Sequence, residues 1–235
     1  MIYIIKGSPS QWWSAGRMQR TQMISLALNK DKIDDALSKA VDILKEGGII
    51  AYPTETFYAL GVKCDLPRSL KRLYELKKRP REKAMPVIIG RRAVLSGIVS
   101  PEWLEHIPPF AQSLMDRFWP GPLTLLFPAQ EGLPEDLTAG TGMIAVRMPG
   151  ESFAFPLTQH AGFPITATSA NLSGTPPADS AEMVVRYFGE GIDLVIDGGQ
   201  TPGGLPSTIV DVSGGRVTIV REGAITRDEI TRYAQ

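Results

Sequence analysis

The sequence predicts an α/β domain built on a mixed sheet, and three observations support this prediction. The chain has 235 residues, of which 43% are hydrophobic, enough for one large α/β domain or two small ones with a buried core. Apolar segments of strand length are interleaved with segments of helical period, a pattern typical of α/β proteins. Several neighbouring strands have no helix between them, so the sheet should contain antiparallel as well as parallel pairs.

The regular pattern begins at Asp34. Apolar residues recur at helical spacing as far as Leu44, and Gly47-Gly48 ends this helix. A buried strand at 49–52 and a polar turn at Pro53-Thr54-Glu55-Thr56 follow. Further helices are predicted at 68–78, 101–118, 151–161, 179–188 and 226–233, and further strands at 85–89, 123–127, 143–147, 164–168, 193–197, 207–212 and 216–221.

Residues 1–30 differ from the rest of the chain, so we predict an N-terminal extension of unknown role and a domain over residues 31–235. The extension contains Trp12-Trp13, Arg17 and Arg20, with no acidic residue before Asp31. Two interpretations stay open. The segment is either a peripheral extension or a basic arm that contacts RNA.

Composition excludes several classes of protein. Lys and Arg balance Asp and Glu, for a net charge of +0, so any nucleic-acid binding would need a local basic patch. The single cysteine, Cys64, excludes an internal disulfide and a cysteine-built metal site; it is a small core residue or a nucleophile. No apolar run approaches the length of about 20 residues that a membrane helix needs. The sequence therefore predicts a cytoplasmic protein that has no membrane partner.

The most unusual segment is the basic run from Lys77 to Lys83, which has five cations in seven residues. Pro80 cannot continue a helix, so the cations lie where a helix ends and an extended segment begins. One interpretation is a solvated helix end, because cations favour helix C-termini. The other is a site for a polyanion such as a nucleoside triphosphate or RNA.

Other segments carry polar groups at predicted strand ends. At Pro53–Thr56 two threonine hydroxyls and the Glu55 carboxylate offer hydrogen-bond groups for an amino acid or a nucleotide. Hydroxyl and amide side chains also follow strands at 167–174 and 203–208, and Arg147 and Arg221 each end an apolar strand. Arginine at such a position can bind carboxylate or phosphate through two hydrogen bonds. The alternatives are ordinary capping turns and exposed strand-end charges.

The two histidines, His106 and His160, lie outside any polar cluster. This argues against a Ser-His-Asp hydrolase and against a zinc site built by the protein. Chemistry that uses neither a histidine base nor a metal cage depends on charge and positioning, as phosphoryl and nucleotidyl transfer do.

Together these segments resemble the YrdC-like family of threonylcarbamoyl-AMP synthases, in its short, single-domain bacterial form. The resemblance covers residues 34 to 225. It rests on eight stretches that follow the family's order: GGIIAYPTETFYALG, LKKRPREKAMPVII, FWPGPLTLLF, AVRMP, PITATSANLSG, DLVIDGG, PSTIVDV and VREG. It implies a twisted, open mixed α/β sheet, flanked by helices, with a large concave cleft.

The resemblance also implies a reaction in which L-threonine, bicarbonate and ATP give threonylcarbamoyl-AMP and pyrophosphate. ATP is a substrate and is expected with magnesium, without a metal site built by the protein. The product serves the threonylcarbamoyl modification of tRNA by a downstream transfer complex, and direct binding of tRNA stays open.

Site residues follow from the same resemblance. Lys77, Arg79 and Ser169 are expected to be catalytic. The ATP site would comprise Lys77, Arg79, Lys83, Met143, Ser169, Asn171 and Arg221. The threonine site would comprise Thr54, Thr56, Arg147, Ala167 and Ser207. Lys78 and Arg81 are less constrained and would face solvent or tRNA.

This chain departs from many relatives at Phe57, Ala59 and Ile88, which changes the expected shape of the threonine pocket. Two alternative functions stay open: a non-catalytic RNA-binding module that uses the basic run, and a carbamoyltransferase related to larger enzymes.

Overall fold

The computed structural model describes residues 22–25 and 33–234. The tryptophans and cations predicted to form a basic arm lie outside the described residues. Within them, strands and helices occur in the following order: β1 (Gln22–Ser25), α1 (Ile33–Lys45), β2 (Ile50–Pro53), β3 (Tyr58–Gly61), α2 (Pro67–Lys77), β4 (Val87–Ile88), α3 (Pro101–Glu105), α4 (Pro109–Phe118), β5 (Leu123–Pro128), α5 (Glu135–Thr138), β6 (Met143–Arg147), α6 (Ala154–Ala161), β7 (Ile165–Thr166), β8 (Thr168–Ser169), α7 (Ala181–Phe188), β9 (Leu194–Asp197), β10 (Thr208–Asp211), β11 (Thr218–Arg221) and α8 (Arg227–Tyr233).

The strands form two sheets rather than one. A five-stranded sheet has the order β1-β9-β2-β3-β8, and a six-stranded sheet has the order β11-β10-β5-β6-β4-β7. Each contains parallel pairs, such as β2 with β9 and β5 with β10, and antiparallel pairs, such as β2 with β3 and β5 with β6. The predicted α/β class with mixed strand pairing is confirmed.

The predicted strand at 164–168 is divided between the two sheets. Its first part, β7, pairs with β4, and its second part, β8, pairs with β3. At the junction the Thr166 amide donates to the Val62 oxygen at 2.9 Å, and the Tyr52 hydroxyl donates to the Thr166 oxygen at 3.0 Å. A Cβ at Gly61 would lie 2.8 Å from that same oxygen, so the close approach of the two sheets requires glycine here.

Amphipathic helices cover the sheets. In α1 the buried face consists of Ala36, Leu37, Ala40, Val41 and Leu44, the face that the apolar spacing predicted. These residues join the core formed with Ile50, Tyr52 and Ile196. Burying each large aliphatic side chain contributes about 1.5–3 kcal/mol. No helix of the described segments is long and apolar enough to cross a membrane.

The predicted helix at 101–118 is wrong in one respect, because two helices occupy it. Helix α3 ends at Glu105, and α4 begins at Pro109. Pro108 and Pro109 lack the amide hydrogens that a continuous helix needs, and each disfavours helical geometry in the preceding residue.

Two strands were not predicted. β3 follows the polar turn and pairs antiparallel with β2, with Leu60 opposite Ala51. β1 falls within the residues assigned to the N-terminal extension and pairs in parallel with β9. A pattern of four residues is too short to identify a strand without its partner.

Candidate functional site

The basic run begins with a buried lysine. Lys77 is the last residue of α2 and is only 2% exposed. Lys78 then turns the chain with a left-handed φ of 49°, and its amide donates back to the Glu75 oxygen at 3.1 Å. The side chain of Lys77 therefore points into the protein rather than into solvent, although it lies at the end of the helix.

The Lys77 ammonium contacts the loop after β8. Nζ donates to the main-chain oxygens of Ser169 and of Asn171, the latter at 2.7 Å, and lies 3.4 Å from Asn171 Oδ1. In the opposite direction, the Ser173 amide donates to the Lys77 oxygen at 3.2 Å. Residues that lie far apart in the sequence therefore form one cluster; we call Lys77, Ser169 and Asn171 the lysine cluster.

Burial affects the charge of this cluster. Removal from water, and secondly the neighbouring Arg79, lower the pKa of Lys77 to about 7. The ammonium group therefore loses its proton close to neutral pH. An anion beside Lys77 would favour the charged form and raise this pKa.

Ser169 and Asn171 have fixed orientations. Ser169 Oγ is exposed and donates to Asn171 Oδ1 at 2.5 Å. The side-chain nitrogen of Asn171, Nδ2, donates to the main-chain oxygens of Leu172 at 3.0 Å and Thr175 at 2.6 Å. The loop after β8 is thus held by its own side chains, and the serine hydroxyl is presented at its surface.

Arg79 shapes the segment that follows the helix. Its Nε donates to the Lys83 oxygen at 3.0 Å, and its Nη2 donates to the Ala84 oxygen at 2.8 Å. The Tyr74 hydroxyl also donates to the Lys83 oxygen, at 2.7 Å. The main-chain oxygen of Lys83 is thus held by Arg79 and Tyr74, while the side chain of Lys83 is exposed.

Lys78 and Arg81 are both exposed, as expected. Arg81 is nevertheless held in place, because its guanidinium forms an ion pair with Asp136 and lies 5.0 Å from the centre of the Tyr74 ring. Sequence alone could not show this pairing, because Asp136 belongs to α5, far along the chain.

The turn between β2 and β3 is held by its threonines. Thr54 Oγ1 donates to the Phe57 oxygen at 2.7 Å and lies 3.2 Å from Thr56 Oγ1. The Thr56 oxygen in turn accepts from the Gly203 amide at 2.9 Å. The turn is therefore tied to the glycine-rich segment that leads to Ser207.

Between the two threonines, Glu55 contacts the end of β6. Its Oε1 lies 3.4 Å from Arg147 Nη1 and accepts from the Gly150 amide at 3.2 Å. Its Oε2 is buried, with no donor among the described residues. Arg147 is also buried, at 8% exposure, so this ion pair lies inside the protein.

Arg147 and Arg221 belong to one row of residues across the six-stranded sheet. Arg147 is opposite Thr124, Thr124 is opposite Ile209, and Ile209 is opposite Arg221. Ser207 connects Thr124, in the middle of this row, with Arg221 at its end. Its Oγ lies 2.9 Å from Thr124 Oγ1, and its main-chain oxygen accepts from Arg221 Nη2 at 2.7 Å.

The two arginines influence each other. Partial burial, and secondly the positive charge of Arg147, lower the pKa of Arg221. An anion between the two guanidinium groups would offset both effects and would therefore be stabilised there.

Most of the predicted residues thus form two groups, the lysine cluster and a second group around Thr54, Thr56, Arg147 and Ser207. The two groups meet at β3. Ser169 of the lysine cluster pairs with Ala59, and the adjacent Tyr58 pairs with Pro53, where the threonine turn begins. Two predicted residues have no such connection. Met143 begins β6 beside Thr141, and the Ala167 amide is engaged with the Pro86 oxygen at 2.8 Å.

Sequence reasoning missed three residues of this region. Glu55 was noted in the turn but was not assigned to the site. Thr124 was read only as part of a strand. Tyr58 was not singled out, yet its hydroxyl donates to the Gly199 oxygen at 2.7 Å and accepts from the Gly198 amide at 3.1 Å. A threonine among leucines in a buried strand, at 123–127, was the available signal for Thr124.

A cavity of about 470 Å³ lies away from these residues, against Cys64, Arg91 and Phe163. Burial raises the pKa of Cys64 to about 12, so its thiol stays protonated, which favours the core interpretation over the nucleophile. The larger cleft implied by the resemblance stays a prediction. Among residues 33–234, no three His, Cys, Asp or Glu side chains are grouped so that they could hold a metal ion.

Comparison with known proteins gives a consistent result. The family model Sua5/yciO/yrdC, described as "Telomere recombination", matches residues 42–223. A threonylcarbamoyl-AMP synthase of Pyrococcus abyssi is 39% identical over 197 residues, covering 82% of this chain and 55% of the relative. One of Shigella boydii serotype 4 is 35% identical over 191 residues, covering 81% of this chain and 98% of the relative.

Among solved structures, P. abyssi Sua5 complexed with L-threonine matches with a TM-score of 0.80 and 34% identity. The match covers 90% of this chain and 59% of that one. The chain therefore spans little more than half the length of the longer relatives that it matches.

Proposed function

This chain belongs to the Sua5/yciO/yrdC family, and from that premise we propose that it is an L-threonylcarbamoyl-AMP synthase. It would combine L-threonine and bicarbonate into a carbamate and transfer AMP from ATP to that carbamate, releasing pyrophosphate. The names of its relatives support this proposal. The structural observation that carries it is the lysine cluster, in which a buried cation meets an oriented serine and asparagine.

The lysine cluster would bind the triphosphate. Lys77, Arg79, Lys83 and Arg221 supply positive charge, Ser169 and Asn171 supply hydrogen bonds, and the main chain of Met143 would border the nucleotide. The carbamate oxygen attacks the α-phosphorus, the bond from that phosphorus to the bridging oxygen breaks, and the electron pair leaves with pyrophosphate. Lys77, Arg79 and Ser169 would be catalytic because they contact the phosphates, whose charge shifts in this step.

The second group would bind threonine. Arg147 faces its carboxylate, Thr54, Thr56 and Ser207 offer hydroxyls, and the main chain of Ala167 would contact it. The tie between the Thr56 oxygen and Gly203 supports a shared pocket for these residues.

Magnesium would arrive with ATP. The lysine cluster offers hydroxyl and amide oxygens, which are weak substitutes for the carboxylates of a dedicated metal site. This composition fits an ion that keeps phosphate and water oxygens as its ligands. It would lower the negative charge of the triphosphate.

The product would then pass to a downstream complex that transfers the threonylcarbamoyl group to tRNA. Lys78 and Arg81, which are both exposed, would be the cations of the run that face solvent or tRNA. The expected cytoplasmic location remains a prediction.

The deciding experiment measures pyrophosphate release with ATP, magnesium and bicarbonate, with and without L-threonine. We expect release to depend on threonine. We also expect K77A to lose most of the activity, because the triphosphate loses its buried cation, whereas R68A, at an exposed position of α2, should behave as the wild type. Threonine-independent release, or none, would reject the proposal. Salt-sensitive tRNA binding without catalysis would favour an RNA-binding module, and turnover of carbamoyl phosphate would favour the carbamoyltransferase.

A further inference from the structure

Glu55 has a buried side-chain oxygen that meets no hydrogen-bond partner among residues 22–25 and 33–234. Oε1 is engaged by the Gly150 amide and by Arg147. Oε2 is buried and has no hydrogen-bond donor among the described residues. A buried carboxylate oxygen without a donor is costly, because it has lost its water without replacement. The group that completes this site is therefore a donor.

Arg147 does not fill this role. Its Nη1 lies 3.4 Å from Oε1 of Glu55, longer than the 2.7–2.9 Å or so of a well-formed charged hydrogen bond. This ion pair is therefore weaker than a well-formed one, so a second anion would compete with Glu55 for the guanidinium. A displacement of Arg147, or of the turn at Thr54, would open Oε2 to a ligand.

The charges around Glu55 indicate the class of ligand. Arg147 and Arg221 are linked through Thr124 and Ser207 and lie close enough for the first to lower the pKa of the second, and Glu55 is the carboxylate paired with Arg147. An anionic group is attracted by the arginines, and a cationic group by Oε2. An α-amino acid carries both groups on one carbon, so the protein groups that bind them must lie side by side, as Glu55 and Arg147 do.

We propose that Oε2 of Glu55 binds the α-ammonium group of the amino-acid substrate, while Arg147 binds its carboxylate. This inference rests on the proposed function and deepens it. It gives a specific partner to a carboxylate that the sequence indicated only as a general contact for an amino acid or nucleotide. It also accounts for an acid between Thr54 and Thr56, because a pocket with arginines alone would bind any small carboxylate.

The test compares two ligands by calorimetry, L-threonine and 3-hydroxybutyrate, which is threonine without its amino group. We expect the wild type to prefer threonine and E55Q to lose about tenfold or more of its threonine affinity, with little change for 3-hydroxybutyrate. E55D, which keeps the charge, should retain the preference. E182Q, which removes an exposed acid paired with Arg186, should match the wild type.

Each result has one meaning. Equal weakening of both ligands by E55Q would overturn the inference, because Glu55 would then only position Arg147. Unchanged threonine affinity in E55Q, or no threonine binding by the wild type, would overturn it as well. The pyrophosphate assay separates the two proposals. Threonine-dependent release with normal E55Q binding rejects the role of Glu55 alone, whereas E55Q-sensitive binding without release rejects the synthase alone.

Discussion

The ammonium group of Lys77 donates a hydrogen bond to the main-chain oxygen of Asn171 over 2.7 Å, which joins the end of α2 to the loop after β8. This contact holds Lys77, the first cation of the basic run, in the interior of the protein. Since Lys77 is 2% exposed, its protonation is linked to ligand binding and to folding.

The affinity for ATP should fall as the pH rises above about 7. The pKa of Lys77 is lowered to about 7 by burial and by Arg79, so the free protein loses this charge above that pH. The triphosphate favours the charged form, and binding must then take up a proton, which weakens it by up to about tenfold per pH unit. Calorimetric titration between about pH 6 and pH 9 measures the slope.

The matched control is K77R, whose guanidinium keeps its charge throughout this range. It experiences the same titration of ATP itself, so the difference between the two proteins reports on Lys77. Identical pH profiles for the wild type and K77R would contradict the prediction.

Lys77 should also make folding stability depend on pH. Its pKa is lowered from 10.5 to about 7 in the folded protein, so between these values the unfolded chain holds more protons at this position. The free energy of unfolding therefore rises with pH across this window, and the penalty for burying the charge is complete below about pH 7. Urea unfolding should show that K77M gains most over the wild type at low pH and progressively less towards pH 10. A difference that does not vary with pH would exclude a buried, titrating Lys77.

Gly223 should not tolerate a side chain. A Cβ there would lie 2.1 Å from the Pro206 oxygen and 2.7 Å from the Ser207 carbonyl carbon. G223A should therefore destabilise the protein by about 3 kcal/mol and raise the KM for threonine, because Ser207 must move. G214A is the control, since nothing lies within 4 Å of its added Cβ. Equal stability of the two variants in urea unfolding would contradict the prediction, because the backbone at Pro206 would then move at little cost.

The hydroxyl of Tyr58 should stabilise the segment that follows β9. It donates to the Gly199 oxygen at 2.7 Å and accepts from the Gly198 amide at 3.1 Å. Y58F leaves both main-chain groups without this partner, at an expected cost of about 1–3 kcal/mol. Y187F removes a single, exposed bond to the Pro176 oxygen and should cost about 0.5 kcal/mol. Thermal unfolding compares them, and a smaller effect in Y58F than in Y187F would refute this assignment.

Much of the fold could be predicted because its signals are local. Helices α1, α2, α7 and α8 occur within a few residues of the predicted limits, and so do strands β5, β6 and β9. In each, the apolar period and the flanking glycine or proline lie within the segment itself. β3 and the division of 164–168 between two sheets could not be predicted, because short strands are defined by their partners.

The candidate site divides in the same way. Most of its polar residues could be proposed from the sequence because they occur in short motifs at the ends of strands or, for Lys77, of a helix. Their environments could not, because each depends on a distant segment. Lys77 is buried by the loop at Ser169, Arg81 is paired by Asp136, and Glu55 meets Arg147 across two sheets.

The sequence by itself determined the α/β class, the main elements and the ordered motifs that identify the family, since each depends on residue type and spacing along the chain. Only the tertiary structure decided which cations are buried, which are paired, and which carboxylate oxygen lacks a donor. The physical reason is that the pKa and the hydrogen bonds of a charged group depend on its solvent exposure and its neighbours. Those neighbours come together only when the two sheets meet at the segment from Ile165 to Ser169.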